Sequence, residues 1–330
     1  MPAVVFGARG NVGRHVAEGL LVAGEQVRAV SRIPAAGLTP GCEAVVADLG
    51  RPETLPAAFD GADKVFLYGM LDPQKPYDVE KVVAAAAAAG IRQVVLLSSV
   101  SVVLDPDADH PVARLNRTIE QAVQRSGMDW TFLRPGTFAT NTRTWWAESI
   151  RTDNVVRLPY PLAQSAPVHE KDIAALAVTA LTEPGHSHQT YTVYGSESLT
   201  LQRQVEHIGE AVGRHIRVEH VSDEQARAEV ARTMHPVVAE AIVSQWAAAD
   251  SVAAMTSVIA ERITGAPAHI RPVGRRPRRR LPLSSSSRPA VPARSARHSG
   301  FPHPGHRRGR RHLQPPPRDP AATPGPVCRV

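Results

Sequence analysis

The sequence predicts an α/β fold, with a doubly wound parallel sheet, a small and mostly helical C-terminal lid, and a disordered basic tail. Three observations lead to this prediction. Short apolar runs alternate with helix-like segments up to residue 135, the pattern loosens over residues 136–268, and the composition changes from residue 269 onward. Alternation of strands and helices is typical of βαβ units, which build a parallel sheet covered on both faces.

In the first 135 residues, each apolar run is short enough for a buried strand, and helical patterns separate most of the runs. The predicted strands are Ala3–Phe6, Gln26–Val30, Glu43–Ala47, Lys64–Leu67, Gln93–Leu97 and Trp130–Leu133. The predicted helices are Val12–Ala23, Pro52–Phe59, Pro76–Ala89 and His110–Ser126. Alanine favours the third of these helices, and Gly90 ends it. We therefore expect a first domain over residues 1–135.

The segment after Pro135 predicts smaller elements. We expect a strand at Thr190–Val193 and helices at Asn141–Arg151, Glu170–Thr182, Leu201–Val212, Asp223–Arg232 and Pro236–Ala248. Thr200 and Ser222 are expected N-caps, because a hydroxyl oxygen can accept a bond from a free N–H of the first turn. These elements predict a substrate or lid region over residues 136–268, of which residues 152–195 partly pack back on the sheet.

Residues 269–330 are rich in Arg, Pro and Ser and contain one aromatic residue, Phe301. Such a segment buries too little apolar surface to offset the entropy of ordering, which predicts a disordered tail. The alternative is a change of reading frame near His269, because the bias of 34 Arg to 4 Lys indicates GC-rich coding DNA. Under either interpretation, we expect no catalytic role for the tail.

The net charge of +7 originates in this tail. From Arg271 onward, 15 arginines and one acid give +14, which leaves −7 for residues 1–270. A mildly acidic folded part argues against nucleic-acid binding outside the tail. No apolar run approaches the ~20 residues that span a bilayer, and we identify no signal peptide, so we expect a cytoplasmic protein with no membrane partner. Cys42 and Cys328 form no disulfide framework and have no partners at metal-ligand spacing.

The stretch "VVFGARGNVGRHV" places Gly7, Gly10 and Gly13 between a predicted strand and a predicted helix. A dinucleotide pyrophosphate binds at such a helix N-terminus, because free N–H groups and the helix dipole point toward it. Glycines permit the tight turn and the close backbone approach. The next residues, Arg14 and His15, exclude a Walker A loop. We expect a dinucleotide site here, with a purely structural turn as the alternative.

The end of the second predicted strand bears on the choice between NAD(H) and NADP(H). NAD-binding proteins often carry an acid there for the ribose hydroxyl, whereas this chain has Ser31 and Arg32. Arg9 lies in the glycine loop itself. Two guanidinium groups suit a 2′-phosphate through charged hydrogen bonds. We therefore favour NADP(H) over NAD(H), and the alternative is that both arginines are solvated surface charges.

Ligands of a doubly wound sheet bind at the carboxyl ends of its strands. At these ends the sequence places further candidates for lining the cofactor, each of which could instead be a turn residue: Asp48, Leu49, Tyr68, Gly69 and Ser98.

Taken together, the glycine loop and the stretches "QVVLLSSV", "RTIEQAVQRSGMDWTFLRPGTFATN" and "PVHEKDIAALAVTALTEPGHSHQTYTV" resemble the NmrA-like family, which are atypical short-chain dehydrogenase relatives with a Rossmann domain. The resemblance extends to about residue 268. It implies that Gly7, Arg9, Asn11 and Val12 contact the pyrophosphate and ribose and that Arg32 faces the 2′-phosphate. It also implies that a segment after the sixth strand passes the nicotinamide, through Arg134, Pro135, Gly136 and Phe138.

The chain departs from the short-chain dehydrogenase pattern at the proton relay. Active members use a Tyr and a Lys four residues later, but the corresponding stretch "HPVARLNRTIE" contains neither. His110 and Arg114 have this spacing, although Arg cannot exchange protons at neutral pH. His110, His169 and Asn116 are the remaining catalytic candidates. For both histidines a surface or capping role is the stronger alternative.

Two further positions have alternative roles. Asp172 is expected at the start of a helix, where a carboxylate suits the dipole. Trp145 and Trp146 would form an aromatic wall for a flat substrate, or one of them would belong to the core.

These observations predict an NADP(H)-dependent oxidoreductase that transfers a hydride to a quinone or a similar conjugated carbonyl. The expected partner is a small aromatic or quinone-like molecule, and a homodimer stays open. The alternative is a non-catalytic NADP(H) redox sensor of the NmrA type, which the missing Tyr and Lys favour.

Overall fold

The computed structural model describes residues 1–33, 37–69, 78–105 and 111–270. The strands are β1 (Ala3–Phe6), β2 (Val27–Ser31), β3 (Glu43–Val46), β4 (Lys64–Tyr68), β5 (Gln93–Leu97), β6 (Asp129–Pro135), β7 (Val155–Leu158), β8 (Gln164–Ser165), β9 (Gln189–Val193), β10 (Leu199–Thr200) and β11 (Arg217–His220). The helices are α1 (Gly13–Val22), α2 (Leu55–Phe59), α3 (Val79–Ala88), α4 (Ser101–Leu104), α5 (Pro111–Arg125), α6 (Asn141–Thr152), α7 (Glu170–Thr182), α8 (Leu201–Val212), α9 (Asp223–Ala231), α10 (Pro236–Ala248) and α11 (Ile259–Thr264).

The central sheet has the strand order β3-β2-β1-β4-β5-β6-β9, and its neighbouring strands pair in parallel. The order reverses between β1 and β4, because β2 and β3 extend the sheet on one side of β1, whereas β4, β5, β6 and β9 extend it on the other. This topology opens a crevice at the carboxyl ends of β1 and β4, where ligands of doubly wound folds bind. The predicted α/β, doubly wound parallel sheet is thereby confirmed.

Helices cover both faces of the sheet, as alternation of strand and helix requires. On one face, α2, α3 and α5 pack against β4, β5 and β6 around Phe59, Leu96 and Phe132. On the other face, α1 and α7 pack against the sheet around Leu20, Phe66 and Ile173. The central strands are buried on both sides, which explains their continuous apolar runs.

A third apolar cluster lies among α6, β7, α8, β11, α9 and α10. In this cluster β7 and β11 form a small parallel sheet, and β8 and β10 form an antiparallel pair. Trp146 and Trp246 are buried in it. Trp145 lies at its edge, with its ring 5.4 Å from that of Trp246. Trp146 therefore belongs to the core and not to an aromatic wall, while Trp145 is half-buried against the same cluster.

Predicted and observed elements agree closely over the first 135 residues. The helix predicted at Pro52–Phe59 instead begins as a 3-10 turn, Pro52–Thr54, before α2. The predicted N-caps Thr200 and Ser222 both accept a bond from the first turn of their helices. The sheet continues beyond residue 135, because β9 adds a strand next to β6 and α7 packs on one face of the sheet. His110 and the tail from Arg271 lie outside the described residues, and the division of the chain at residue 135 stays a prediction.

The sequence pattern did not predict three groups of short elements. Among the described residues, the strands β7 and β11 pair only with each other, and the short β8 and β10 do the same. The helices α4 and α11 have four and six residues, too few for a periodic signal. In the part of the chain that the structure describes, no helix is both long and apolar enough to cross a membrane.

Candidate cofactor and active site

A cleft of about 840 Å³ opens at the carboxyl ends of β1, β2, β3 and β4. The loop between β1 and α1 forms one wall, and the ends of β2 and β3 form another. Phe138, from the segment after β6, also lines it. The cleft therefore occupies the crevice that the reversal of strand order creates.

The glycine loop is a turn that side chains would obstruct. The Gly10 N–H donates to the Gly7 carbonyl over 2.7 Å. A Cβ on Gly13 would lie 2.3 Å from that same carbonyl oxygen. At Gly7, φ is +68°, and a Cβ would lie 2.8 Å from the Tyr68 ring. The spacing of the glycines thus has a structural cause, which also brings the backbone to the edge of the cleft.

The turn directs the N-terminus of α1 into the cleft. Val12, at the N-cap, supplies no side-chain acceptor to the first turn, and that turn contains no acid. The first N–H groups of a helix have no partner within it and carry partial positive charge. An anionic group such as a pyrophosphate fits this end of the cleft.

At the other end of the cleft, charged groups surround the end of β2. Arg32, Asp48 and Tyr68 all line the cleft, and both charges act on the Tyr68 hydroxyl. Burial raises the pKa of the Tyr68 hydroxyl; the Arg32 charge opposes this shift and the Asp48 charge adds to it. The Asp48 carboxylate accepts a bond from the Gly50 N–H over 3.0 Å. The Arg9 guanidinium crosses toward the loop after β2, 3.7 Å from where a Cβ on Gly37 would lie.

Most of the sequence-predicted cofactor residues meet in this cleft. Its lining includes Gly7, Arg9, Gly10, Asn11, Val12, Gly13, Ser31, Arg32, Asp48, Leu49, Tyr68 and Phe138. The Ser31 hydroxyl itself donates to the Ile33 carbonyl. Five predicted residues are not part of the lining: Gly69, Ser98, Arg134, Pro135 and Gly136. Their assignment to the cofactor stays a prediction.

The family model described as NAD(P)H-binding matches residues 7–184, which include the glycine loop and the sheet through α7. The chain belongs to the NAD(P)H-binding family. It is 42% identical over 270 residues to a (4-alkanoyl-5-oxo-2,5-dihydrofuran-3-yl)methyl phosphate reductase from Streptomyces griseus, covering 80% of this chain and 93% of the relative. It is 32% identical over 271 residues to an NAD(P)H azoreductase from Xenophilus azovorans, with the same two shares covered.

Solved structures agree with this fold. A triphenylmethane reductase from Citrobacter, complexed with NADP(H), has a TM-score of 0.66 at 23% identity, over 81% of this chain and 96% of that one. An NADPH-dependent quinone oxidoreductase from Escherichia coli has a TM-score of 0.68 at 22% identity, over 82% and 96%. The family and the reductases among its relatives establish an NAD(P)H-dependent oxidoreductase.

In this NAD(P)H-binding protein, an ion pair that the sequence did not reveal lies beside the cleft. Glu120, on α5, is buried and accepts bonds from the Ser98 hydroxyl over 2.5 Å and from Arg134 Nε over 2.9 Å. The pair joins the ends of β5 and β6 to α5. It occupies the side chains of Ser98 and Arg134, and bonding to Glu120 raises the pKa of the Arg134 guanidinium. An acid on the apolar face of a predicted helix was the available signal.

The catalytic candidates have structural partners. The Asn116 amide donates to the Val112 carbonyl over 2.9 Å, and its oxygen lies 3.0 Å from where a Cβ on Gly69 would be. His169 caps α7, with its Nδ1 accepting the Lys171 N–H over 3.0 Å. Arg114 is exposed on α5, and His110 lies outside the described residues. The hydrogen bonds of Asn116 and His169 are therefore structural, and a catalytic role for either residue stays a prediction.

Asp172 lies in the first turn of α7, as predicted, and it is buried there. Its carboxylate accepts bonds from the backbone N–H and the ring of His269, the latter over 2.5 Å. It thus fastens the end of the described chain to α7.

The Glu120–Arg134 pair predicts a large loss of stability when one partner is removed. Arg134→Met leaves a buried carboxylate without its cation, which costs about 3–5 kcal/mol in the free energy of unfolding. Glu120→Met in the same chain should restore much of the loss, because both charges are then absent. Urea unfolding of both variants measures their free energies of unfolding. An equal loss in Arg134→Met and in the double variant would contradict the pairing.

The cap at His169 predicts sensitivity to acid. Burial lowers the pKa of His169 below its ordinary 6.5; His269 and Lys171 act in the same direction, whereas Glu170 and Asp172 oppose the shift. The unfolded chain therefore binds the proton more readily, so stability present at neutral pH is lost as the pH falls through 6.5 and then through the lower folded value. His169→Asn keeps a good N-cap and removes this titration. Its free energy of unfolding should fall less than that of the wild type over this range, and parallel curves would refute the assignment.

Proposed function

We propose that the protein uses NADPH in preference to NADH. The observation that carries the proposal is the pair Arg9 and Arg32, which flank the cleft where β2 ends without an acid. A guanidinium binds a phosphate through two charged hydrogen bonds, and its charge persists at all physiological pH values. The dinucleotide would then lie with its pyrophosphate at α1 and its 2′-phosphate between the two arginines.

We further propose that the hydride acceptor is a conjugated carbonyl compound, such as a quinone or an unsaturated lactone. The substrate named for the Streptomyces griseus relative contains a ring double bond flanked by a lactone carbonyl and an alkanoyl group. An azo compound, named for the second relative, likewise has a double bond that accepts two electrons. The nicotinamide supplies the hydride when bound, and the protein contributes binding and orientation.

The chain's own residues support such a reaction mainly by positioning. The glycine loop fixes the dinucleotide at α1, while Phe138 gives the cleft an apolar surface on the side of β6. Asn116 has no ionisable proton, and His169 Nδ1 is engaged as a cap. The acceptor that we propose can take its final proton from water, because its reduced form is a weak base, so the reaction needs no dedicated acid.

A redox sensor that binds NADP(H) without turnover is the second candidate. Two observations favour it: Asn116 and His169 are both engaged in structural hydrogen bonds, and the stretch that corresponds to the Tyr and Lys of short-chain dehydrogenases contains neither residue. A sensor needs the cleft and its selectivity but no acceptor site. Both candidates predict dinucleotide binding, so turnover distinguishes them.

Selectivity can be measured at Arg32. Arg32→Ala should weaken NADP⁺ binding about tenfold or more, because a charged hydrogen bond to phosphate is lost, and should leave NAD⁺ binding nearly unchanged. Calorimetric titration with both dinucleotides measures this. Arg51→Ala is the matched control, since Arg51 is exposed, pairs with Glu53 and does not line the cleft. Equal weakening of NADP⁺ and NAD⁺ would contradict the assignment.

Turnover can be followed by NADPH fluorescence in the purified protein, first during titration and then after addition of menadione. We expect the signal to rise on binding and to decay at a rate proportional to protein concentration. A signal that rises and stays constant with menadione, other quinones and a 2-acyl butenolide would favour the sensor. Absence of any rise with NADPH or NADH would reject the dinucleotide site.

A further inference from the structure

Two residues outside the cleft, Thr140 and Glu170, connect the glycine loop to the starts of two helices. The segment after β6 and the segment before α7 run side by side, with a bridge between Phe138 and Val168. The Val168 N–H donates to the Thr137 carbonyl, and the Ala139 N–H donates to the Val168 carbonyl, each over 2.9 Å. This pairing brings Thr140, just before α6, next to Glu170, the first residue of α7.

Glu170 binds Thr140 through one carboxylate oxygen. The Thr140 N–H donates to Glu170 Oε1 over 3.0 Å, and the Thr140 hydroxyl donates to the same oxygen. Glu170 is 1% exposed. Its second oxygen has no hydrogen-bond partner among the described residues; His169 Nδ1 lies 3.9 Å from it. A buried carboxylate that is only half satisfied costs stability, so its presence calls for an explanation beyond packing.

The direction of these bonds fixes the orientation of Asn11. The Thr140 hydroxyl uses its hydrogen on Glu170, so its oxygen can only accept, and it accepts a bond from Asn11 Nδ2 over 3.4 Å. The nitrogen of the Asn11 amide therefore points toward Thr140. The amide oxygen is left for a donor elsewhere, and Asn11 lines the cleft within the glycine loop.

We propose that Thr140 and Glu170 are positioning residues that hold the Asn11 amide with its oxygen available to a hydroxyl donor of the bound dinucleotide. The inference rests on the proposed dinucleotide site and deepens it. A ribose hydroxyl is the donor class that fits, since the pyrophosphate oxygens only accept. Such a hydroxyl is common to NADPH and NADH, so this link contributes affinity without selectivity and differs in that respect from Arg32.

The test compares hydroxyl variants by calorimetric titration with NADP⁺ and NAD⁺. Thr140→Val keeps the shape and the backbone N–H bond to Glu170 but removes the acceptor for Asn11. We expect it to weaken both dinucleotides by the same factor, about 3- to 10-fold, the range for one hydrogen bond. Thr140→Ser should restore affinity to within about twofold, because the hydroxyl returns. In turnover with menadione, KM for NADPH should rise while kcat at saturating NADPH is retained.

Thr142→Val is the matched control. The Thr142 hydroxyl lies at the same helix start but donates to the Ala139 carbonyl, away from the glycine loop, so its removal should leave affinity unchanged. The pair Asn11→Ala and Asn11→Ala/Thr140→Val isolates the link: once the amide is gone, Thr140→Val should have no further effect. If Thr140→Val does not fold, Thr140→Ala replaces it in the same cycle, because it also removes the hydroxyl that accepts from Asn11.

The outcomes separate this inference from the proposed function. If the wild type binds neither dinucleotide, the dinucleotide site itself fails and the inference falls with it. If the wild type binds but folded Thr140→Val does so equally well, or if the effects of Asn11→Ala and Thr140→Val add fully, the positioning role is rejected and the site stands. An equal loss in Thr142→Val would indicate a general disturbance of α6 and would also reject it.

Discussion

The contact between the Gly7 carbonyl and the backbone at Gly13 is the constraint on which the site depends. With 2.3 Å between that oxygen and the position of a Cβ at Gly13, the chain can pass from β1 into α1 only if residue 13 has no side chain. The same turn seats α1 against α7 on one face of the sheet and brings the N-terminus of α1 to the cleft. The structural turn and the proposed anion site are therefore compatible interpretations of the glycines, because one backbone conformation serves both.

Two buried carboxylates join the ends of neighbouring elements, and one of them is linked to this turn. Glu120 joins α5 to the ends of β5 and β6, and Glu170 joins the starts of α6 and α7 to the glycine loop through Thr140. A buried charge is costly unless it is hydrogen-bonded, and hydrogen bonds are directional. Each acid therefore fixes the relative placement of its partners. Apolar packing alone would allow the ends of these elements to slide. Glu170 thus acts on the glycine loop that lines the cleft, whereas Glu120 acts on the neighbouring strand ends.

Sequence reasoning predicted the sheet well for a definite reason. Its central strands are buried on both faces, so their apolar runs are continuous, and the helices between them have a clear period. The small pairs β7–β11 and β8–β10 gave no such signal, because β11 is a short, half-exposed strand and the other pair has two residues in each strand. At the site, the glycines and the charged ends of β2 and β3 are local in sequence and were found. Glu120, Thr140 and Glu170 act through partners 14, 129 and 30 residues away, which no local pattern reveals.

The chemistry of the catalytic candidates also bears on the hydride acceptor that we propose. Among the three catalytic candidates of the sequence, Asn116 cannot ionise, His169 is a helix cap and His110 lies outside the described residues. Hydride addition to a simple ketone produces an alkoxide, a strong base that requires a well-placed acid in the transition state. Hydride addition to a quinone, or to a double bond that carries two carbonyl groups on one of its carbons, produces a delocalised anion that water can protonate later. The conjugated acceptor that we propose is of the second kind, so hydride transfer to it is compatible with a chain that lacks the Tyr and Lys relay in the corresponding stretch.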